Sequence, residues 1–377
     1  TFAHKTAPPV IDLAEKLVGI APEGLGKAVF QNSGSEAIDT AIKFIWYYHN
    51  AIGKPEKKKI IARENAYHGT GIASASLTGL ARMHMAFDLP VTDRVLRTDC
   101  PHFFKYGEEG ETEEVFATRC ANNLEKLIQD EGPDTVAAFF AEPVMGAGGV
   151  IVPAATYFEK IQKVLREYNV LMVADEVICG FGRTGNMWGS QTFNIKPDLL
   201  TCAKALSSSY LPISALLISD DLYAPIRDQS GDLGGFSHGY TYSGHPVPAA
   251  VALETLKIYE ERDIVGHVRR VGPIMQAGLR EFADHPLVGE VRGVGLLAGV
   301  EVMANSDNRQ CFDPAAKVGP KIQALCEENG LLIRAMGDSI GFCPPLIIEE
   351  ATINKMLAQF GKSLDQALAW TRKEGLT

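Results

Sequence analysis

The sequence predicts an α/β protein, a doubly wound, mostly parallel seven-stranded sheet followed by a smaller α+β domain at the C-terminal end. Three observations carry this. Between residues 27 and 219, about seven short runs rich in Val, Ile and Leu, bounded by charge, Gly or Pro, alternate with stretches of helical periodicity. Runs such as 170–174 and 199–203 are apolar throughout instead of alternating, as strands buried on both faces are. After about residue 270 the pattern changes to helix, paired strands, helix, strand and helix, so the chain is expected to divide into a large domain, 1–265, and a small one, 266–377.

Residues 9–20 carry apolar side chains at helical spacing, and 27–31 reads as a short strand. Ser33-Gly34-Ser35 then opens an amphipathic helix to about Ala51, with Glu36 in the first turn where the helix dipole favours an acid. Such a start offers free amides and hydroxyls to a phosphate, or is a plain N-cap. Strand 59–63 leads to Ala66-Tyr67-His68-Gly69, where Tyr67 either stacks on a flat ring or packs as a loop tyrosine. Strand 95–97, helix 113–131 and a very apolar strand 136–144 follow, the last containing Glu142-Pro143. The glycines of 145–149 and Gly293-Val294-Gly295 lack the spacing of a dinucleotide fingerprint. A helix over 154–168 leads into strand 170–174, which ends at Asp175; strand 199–203 ends at Lys204. Only about ten residues separate that strand from 214–218, which is marginal for a helical crossover and predicts an antiparallel neighbour. Thr241 and Ser243, in the loop 238–246, reach a phosphate oxygen or cap the helix 247–262. The chain closes with strands around 288–302, helix 315–329, strand 331–335 and helix 351–373. Arg334, at a strand end, binds a substrate carboxylate through its fork of donors or makes an interdomain ion pair.

With 377 residues, 46% hydrophobic and 22% charged, the chain can bury a large core in two or three domains. A net charge of −10 disfavours nucleic acid and anionic membranes, and no apolar stretch approaches the ~18 residues a bilayer span needs. Small-molecule chemistry is the class that remains. Seven cysteines without C-x-x-C spacing indicate neither a disulfide framework nor a zinc site and suit a reducing cytoplasm. His68, His238 and His245 form no H-E-x-x-H pattern, so no metal centre is expected. The start at Thr1, without methionine or signal, predicts that an N-terminal segment is missing.

Buried strands seldom end in bare charges. An ammonium and a carboxylate at the mouths of successive strands lie where open α/β sheets bind ligands, and desolvation there makes a lysine nucleophilic. Either residue alone is more often a solvated strand end. As a pair they point to pyridoxal phosphate, which needs a lysine to hold its aldehyde as a Schiff base and a carboxylate to keep its ring nitrogen protonated. Lys204 and Asp175 would fill those roles.

The stretches NSGSEA, AYHG, AEPVMGAGGVIVP, LMVADEVICGFGRTG, PDLLTCAKALSSSYLPISA, HGYTYSGHPV and LIRAMGDSIGFCPPLII, in that order, resemble the class III aminotransferases, fold type I pyridoxal phosphate enzymes, and among them the ω-transaminases. The resemblance covers nearly the whole chain. It implies that Lys204 is the Schiff-base lysine and proton carrier, that Asp175 pairs with the ring nitrogen, and that Gly34 and Ser35 hold the phosphate. Tyr67 and Val177 would cover the two ring faces, with Tyr67 also facing substrate; His68 and Glu142 would stand close by. Thr241 would reach the phosphate of a partner subunit, making a homodimer, or a tetramer built from it, necessary for activity. Arg334 resembles a mobile arginine that binds the keto acid. The implied reaction is ping-pong transamination of a primary amine, diamine or ω-amino acid with pyruvate or a similar keto acid, through a pyridoxamine phosphate form.

Three features depart from the family pattern. By that resemblance the sequence starts inside the family's usual N-terminal segment, so an aromatic wall of the substrate pocket and part of the small domain are expected to be missing from it. Ala205 and Ser209 stand where glycine is common around the lysine, which costs about 1 kcal/mol at any site that needs a positive φ. The competing readings are a 4-aminobutyrate or ornithine transaminase, an aminomutase, a dialkylglycine-type decarboxylase, and a silent binding protein of the same fold.

Overall fold

Apolar runs can be buried only if their backbone donors and acceptors find partners, and here they find them in one sheet. The computed structural model describes residues 5–306 and 308–377. Its strands are β1 (Leu25–Gln31), β2 (Lys59–Arg63), β3 (Val95–Thr98), β4 (Val136–Ala141), β5 (Leu171–Asp175), β6 (Leu199–Cys202) and β7 (Ser214–Ser219). The order across the sheet is β1-β7-β6-β5-β4-β2-β3. β7 is antiparallel to both its neighbours, as the short connection after Lys204 predicts, while β2 with β3 and β4, β4 with β5, and β5 with β6 pair in parallel.

Every residue of β4 is buried. Phe139 packs with Phe116, Leu124 and Phe158 on one face, and Phe140 with Ile38, Ile42 and Ile45 on the other. Each such side chain contributes about 1.5–3 kcal/mol by leaving water. The helices Glu113–Glu131 and Tyr157–Glu167 therefore cover one face and Gly34–Ala51 the other.

A second sheet contains β8 (Val288–Val294), β9 (Leu297–Val302), β10 (Arg334–Met336) and β11 (Ser339–Phe342), in the antiparallel order β10-β11-β9-β8. One apolar cluster runs from Leu13 and Leu17 through Leu200 and Ile213 to Val300, Ile340 and Phe360, so the two sheets are joined by continuous core.

Several boundaries differ from expectation. The strand 136–144 stops at Ala141, because Pro143 has no amide to give the ladder and Glu142 turns its carboxylate to other donors. The helix of 154–168 begins only at Tyr157. The helices Ile72–Leu77 and Asp220–Asp232 lie outside the sequence expectation, although Ser219 caps the second and Asp220 and Asp221 fill its first turn. Arg334 begins β10 and does not end a strand. A tight turn at Gly337, φ +65°, pairs Met336 with Ser339 and so sets where that hairpin starts.

Candidate active site

Parallel pairing of β5 with β6, with Asp175 opposite Thr201, brings the carboxylate and the lysine to the same edge of the sheet. Asp175 is buried, and its acceptor sites are almost filled. Oδ1 accepts from the Val177 amide at 3.1 Å and the Thr201 hydroxyl at 3.3 Å, while Oδ2 lies 2.8 Å from His68 Nδ1. A carboxylate only accepts, so the shared proton sits on Nδ1. Of about four lone-pair sites on Asp175, one on Oδ2 remains. His68 Nε2 is buried and without a partner among the described residues.

Glu142, just past the end of β4, is also buried. Its Oε1 accepts from the Tyr67 amide at 3.0 Å and its Oε2 from the Gly146 amide at 2.8 Å, so it ties the tyrosine loop to the glycine-rich loop. Burial raises its pKa; His68 counters this and Asp175 adds to it.

Ser33 is the N-cap of the helix Gly34–Ala51, accepting from the Glu36 amide at 3.2 Å, and Glu36 reaches back to the Asn32 amide at 2.8 Å. The amides of Gly34 and Ser35 have no carbonyl one turn back and face outward as an anion site. Ser35 Oγ accepts from the Thr70 amide at 3.0 Å. Gly69 has φ +140°, and a Cβ there would meet Ser35 Oγ at 2.6 Å, so only glycine fits.

These residues enclose a cavity of about 140 Å³. Eight of the ten sequence-predicted residues line it: Gly34, Ser35, Tyr67, His68, Glu142, Asp175, Val177 and Lys204. A larger cavity of about 1040 Å³ adjoins it, and Tyr67, Val177, Ile178 and Lys204 line both. Arg334 lines only the larger one; it is exposed, and its side chain makes no hydrogen bond or ion pair with the described residues. Thr241 is exposed and lines neither. Its loop packs on the helix Gly34–Ala51, where His238 stands 3.1 Å from the Thr40 hydroxyl and 2.9 Å from Lys43 Nζ.

The lysine turn is strained. Lys204, Ser208 and Ser209 have φ of +46°, +46° and +63°, whereas Ala205 is not in the left-handed region. Of the two positions that replace glycine, Ser209 therefore carries the strain, at about 1 kcal/mol.

Ile178, Thr201 and Glu176 join the site from outside the sequence expectation. Thr201 carries no local sequence signal, because its place opposite Asp175 comes from strand register, whereas Glu176 is legible as the second acid of Asp175-Glu176 at a buried strand end. Glu176 accepts from the Gly189 amide at 2.9 Å, the Ser190 amide at 2.6 Å and the Ser190 hydroxyl at 2.7 Å, which anchors the loop after β5. Burial nevertheless pushes its pKa from 4.5 up to about 7, with Asp175 adding and the Ser190 and Gly189 bonds opposing. Such a group binds more protons folded than unfolded, so its contribution to stability falls as pH rises from about 4.5 to about 7. The loss is on the order of 3 kcal/mol. Glu176→Gln is expected to flatten that part of the stability curve, measured as urea midpoints across the window; an unchanged slope would assign the titration to another group.

The small cavity fits pyridoxal phosphate by its own chemistry. It has an anion-binding helix start at one side, a carboxylate with one acceptor site left at the other, an unpartnered imidazole nitrogen, and a lysine on its wall. A Cβ on Gly34 would stand 3.1 Å from Val177 Cγ1, so glycine there widens the slot between the helix start and Val177. Among the described residues no group of three or more His, Cys, Asp or Glu could hold a metal ion, and no helix is long and apolar enough to cross a membrane.

A family model described as aminotransferase class III matches residues 1–364. A curated relative, the chloroplastic γ-aminobutyrate transaminase 3 of Solanum lycopersicum, is 53% identical over 365 residues, covering 97% of this chain and 70% of its own. Among solved structures, a transaminase with L-ala is 57% identical with a TM-score of 0.96, covering 98% of this chain and 87% of that one. The ω-transaminase from Pseudomonas jessenii in complex with PMP is 51% identical, also with a TM-score of 0.96, over 98% of this chain and 81% of that one.

Proposed function

The chain belongs to the class III aminotransferases, which use pyridoxal 5′-phosphate, and on that premise we propose that it transfers the amino group of an ω-amino acid or related primary amine to pyruvate. The observation that carries the reading is the shared wall: Lys204, Tyr67, Val177 and Ile178 line both the small cavity that holds Asp175 and the helix start and the large cavity beside it. The cofactor, when bound, supplies an electron sink for the pair left on carbon as a proton departs. The protein's residues do the rest. Gly34 and Ser35 would bind the phosphate through their amides and the Ser35 hydroxyl. Tyr67 and Val177 would hold the ring, and Glu142 fixes Tyr67 by accepting from its amide. Asp175, oriented by His68 and Thr201, would keep the ring nitrogen protonated. Lys204 Nζ would hold the cofactor and serve as the acid–base group for the proton that transamination moves.

Substrate class follows from charge. The larger cavity is lined by Arg82, Arg183, Arg262, Arg334 and Lys204 and, among the described residues, by no aspartate or glutamate, in a chain of net charge −10. Such a wall favours donors and acceptors that carry a carboxylate and disfavours a second ammonium. The likeness to γ-aminobutyrate transaminases, and to a transaminase solved with L-ala, the amino acid formed from pyruvate, supports the same pair. Alanine formation from pyruvate with 4-aminobutyrate, β-alanine or putrescine as donor tests this. The two ω-amino acids are expected to lead, and putrescine leading would overturn the substrate class.

The proposed assembly is a homodimer in which Thr241 serves the partner's phosphate. The exposure of Thr241, which lines neither cavity of its own chain, supports this. Mixed dimers of Lys204→Ala and Thr241→Ala chains contain one intact site, so mixing two weak variants is expected to restore activity; no gain on mixing would remove Thr241 from the site. Residues 1–265 are proposed as the cofactor-holding domain and 266–377 as the domain that brings Arg334 to the cavity; the second sheet falling wholly after 265 supports that division. The cytoplasm is the proposed compartment, on seven free cysteines.

A further inference from the structure

Non-glycine residues persist in left-handed backbone only where their surroundings over-determine them. The turn Lys204–Ser207 has one at its start, Lys204, and two just beyond its end, Ser208 and Ser209. Within the turn the amides of Leu206, Ser208, Ser209 and Tyr210 reach the carbonyls of Ala203, Ala205, Lys204 and Ser207 at 3.0, 3.2, 3.2 and 3.0 Å, and the Ser207 hydroxyl donates to the Leu211 carbonyl at 2.6 Å. A further restraint comes from outside the turn, from Tyr259, a buried residue of the distant helix Pro246–Glu261. Its hydroxyl lies 2.8 Å from the Ala205 carbonyl and 2.8 Å from Ser208 Oγ. A phenol has one proton to give, and a carbonyl can only accept, so Tyr259 donates to Ala205 and receives from Ser208. That relay closes across both ends of the turn. Burial raises the Tyr259 pKa, with Ser208 and Arg183 opposing, so the hydroxyl stays a donor at neutral pH.

We propose that Tyr259 is a positioning residue: through Ala205 and Ser208 it holds the lysine turn in its left-handed form and so keeps Lys204 on the wall between the two cavities. The inference rests on Lys204 being the cofactor lysine. Without the hydroxyl, the Ala205 carbonyl and the Ser208 hydroxyl lose their partner, the turn relaxes, and Lys204 Nζ samples positions outside the shared wall.

The test compares Tyr259→Phe with the parent protein in two states. In cofactor-free protein, hydrogen exchange at the amides of Ser208, Ser209 and Tyr210 is expected to speed up roughly thirtyfold, the size set by two hydrogen bonds of ordinary net strength. In the loaded enzyme kcat is expected to fall with KM for the amine unchanged, and the pH midpoint of the cofactor's visible band to shift. Ser208→Ala, which leaves the core intact, should move each readout the same way by less. Tyr259→Phe combined with Ser209→Gly should recover part of the loss, because glycine adopts the left-handed form without restraint. Unchanged exchange in Tyr259→Phe, or a double variant no better than Tyr259→Phe alone, would overturn the role. Borohydride trapping with peptide mapping separates the two layers. A label on Lys204 with unchanged exchange removes only the role of Tyr259; a label on another lysine overturns the reading of the site and this inference with it.

Discussion

Asp175→Asn is expected to lower turnover by roughly 10²–10³-fold, the effect of losing one preorganised partner of a charge that develops during reaction, while the protein still folds and still binds its cofactor. The carboxylate in β5 accepts from the Val177 amide and the Thr201 hydroxyl through Oδ1 and from His68 through Oδ2. Asparagine can keep the Oδ1 bonds, since its oxygen accepts as well. At the other position its NH₂ meets the Nδ1 proton of His68, donor against donor. His68 must then move or shift its proton to Nε2, which is buried and unpartnered among the described residues. The variant thus removes the negative charge and disturbs the imidazole that orients it, yet touches neither Lys204 nor the helix start at Gly34. Cofactor content by absorbance and single-turnover rates with an amine check both parts. Near-normal turnover would show that Asp175 is not the partner of the ring nitrogen.

Arg334→Ala is expected to divide the reaction in two. An amine donor need carry no carboxylate, whereas the keto acid always does, so one pocket must change its polarity between half-reactions. Arg334 is placed to supply that change, because it begins the edge strand β10, is exposed, makes no side-chain bond with the described residues, and lines the larger cavity. Paired with a carboxylate and partly desolvated, its guanidinium contributes roughly 2–5 kcal/mol through charge-assisted bonds. The variant should therefore react with a simple neutral-tailed amine at close to the parent rate and be restored poorly by pyruvate. Stopped-flow spectra of the two halves decide. Equal slowing of both would make Arg334 structural, and no slowing of either would assign the carboxylate to Arg82, Arg183 or Arg262, the other guanidinium groups on that wall.

By itself the sequence determined the sheet, the chemistry and most of the small cavity. The strands were legible because runs such as VAAFFA and LLTC are apolar at nearly every position, a local signal that depends on no distant residue. Asp175, Lys204, Tyr67 and Gly34 were legible in combination, because a carboxylate, a lysine, an aromatic and a glycine turn all fall at the ends of buried strands, although each alone has an ordinary explanation. Tertiary structure decided everything that depends on which separate segments meet. The opposition of Asp175 and Thr201 comes from strand register, which local pattern leaves open. Arg334 begins its strand because a turn at Gly337 pairs β10 with β11, although hydropathy placed the strand three residues earlier. The resemblance set Glu142 near the site, but its partner, the Tyr67 amide 75 positions away in the chain, is decided by the tertiary structure. The cationic wall gathers Arg82, Arg183, Arg262 and Arg334 from four parts of the chain, and each alone looks like an ordinary surface arginine. Tyr259 reaches the lysine turn only because the helix Pro246–Glu261 packs across it. Periodicity reports which face of an element is buried, but its partner is set by loop geometry and by the packing of the whole core, and at this site the partners position the chemistry.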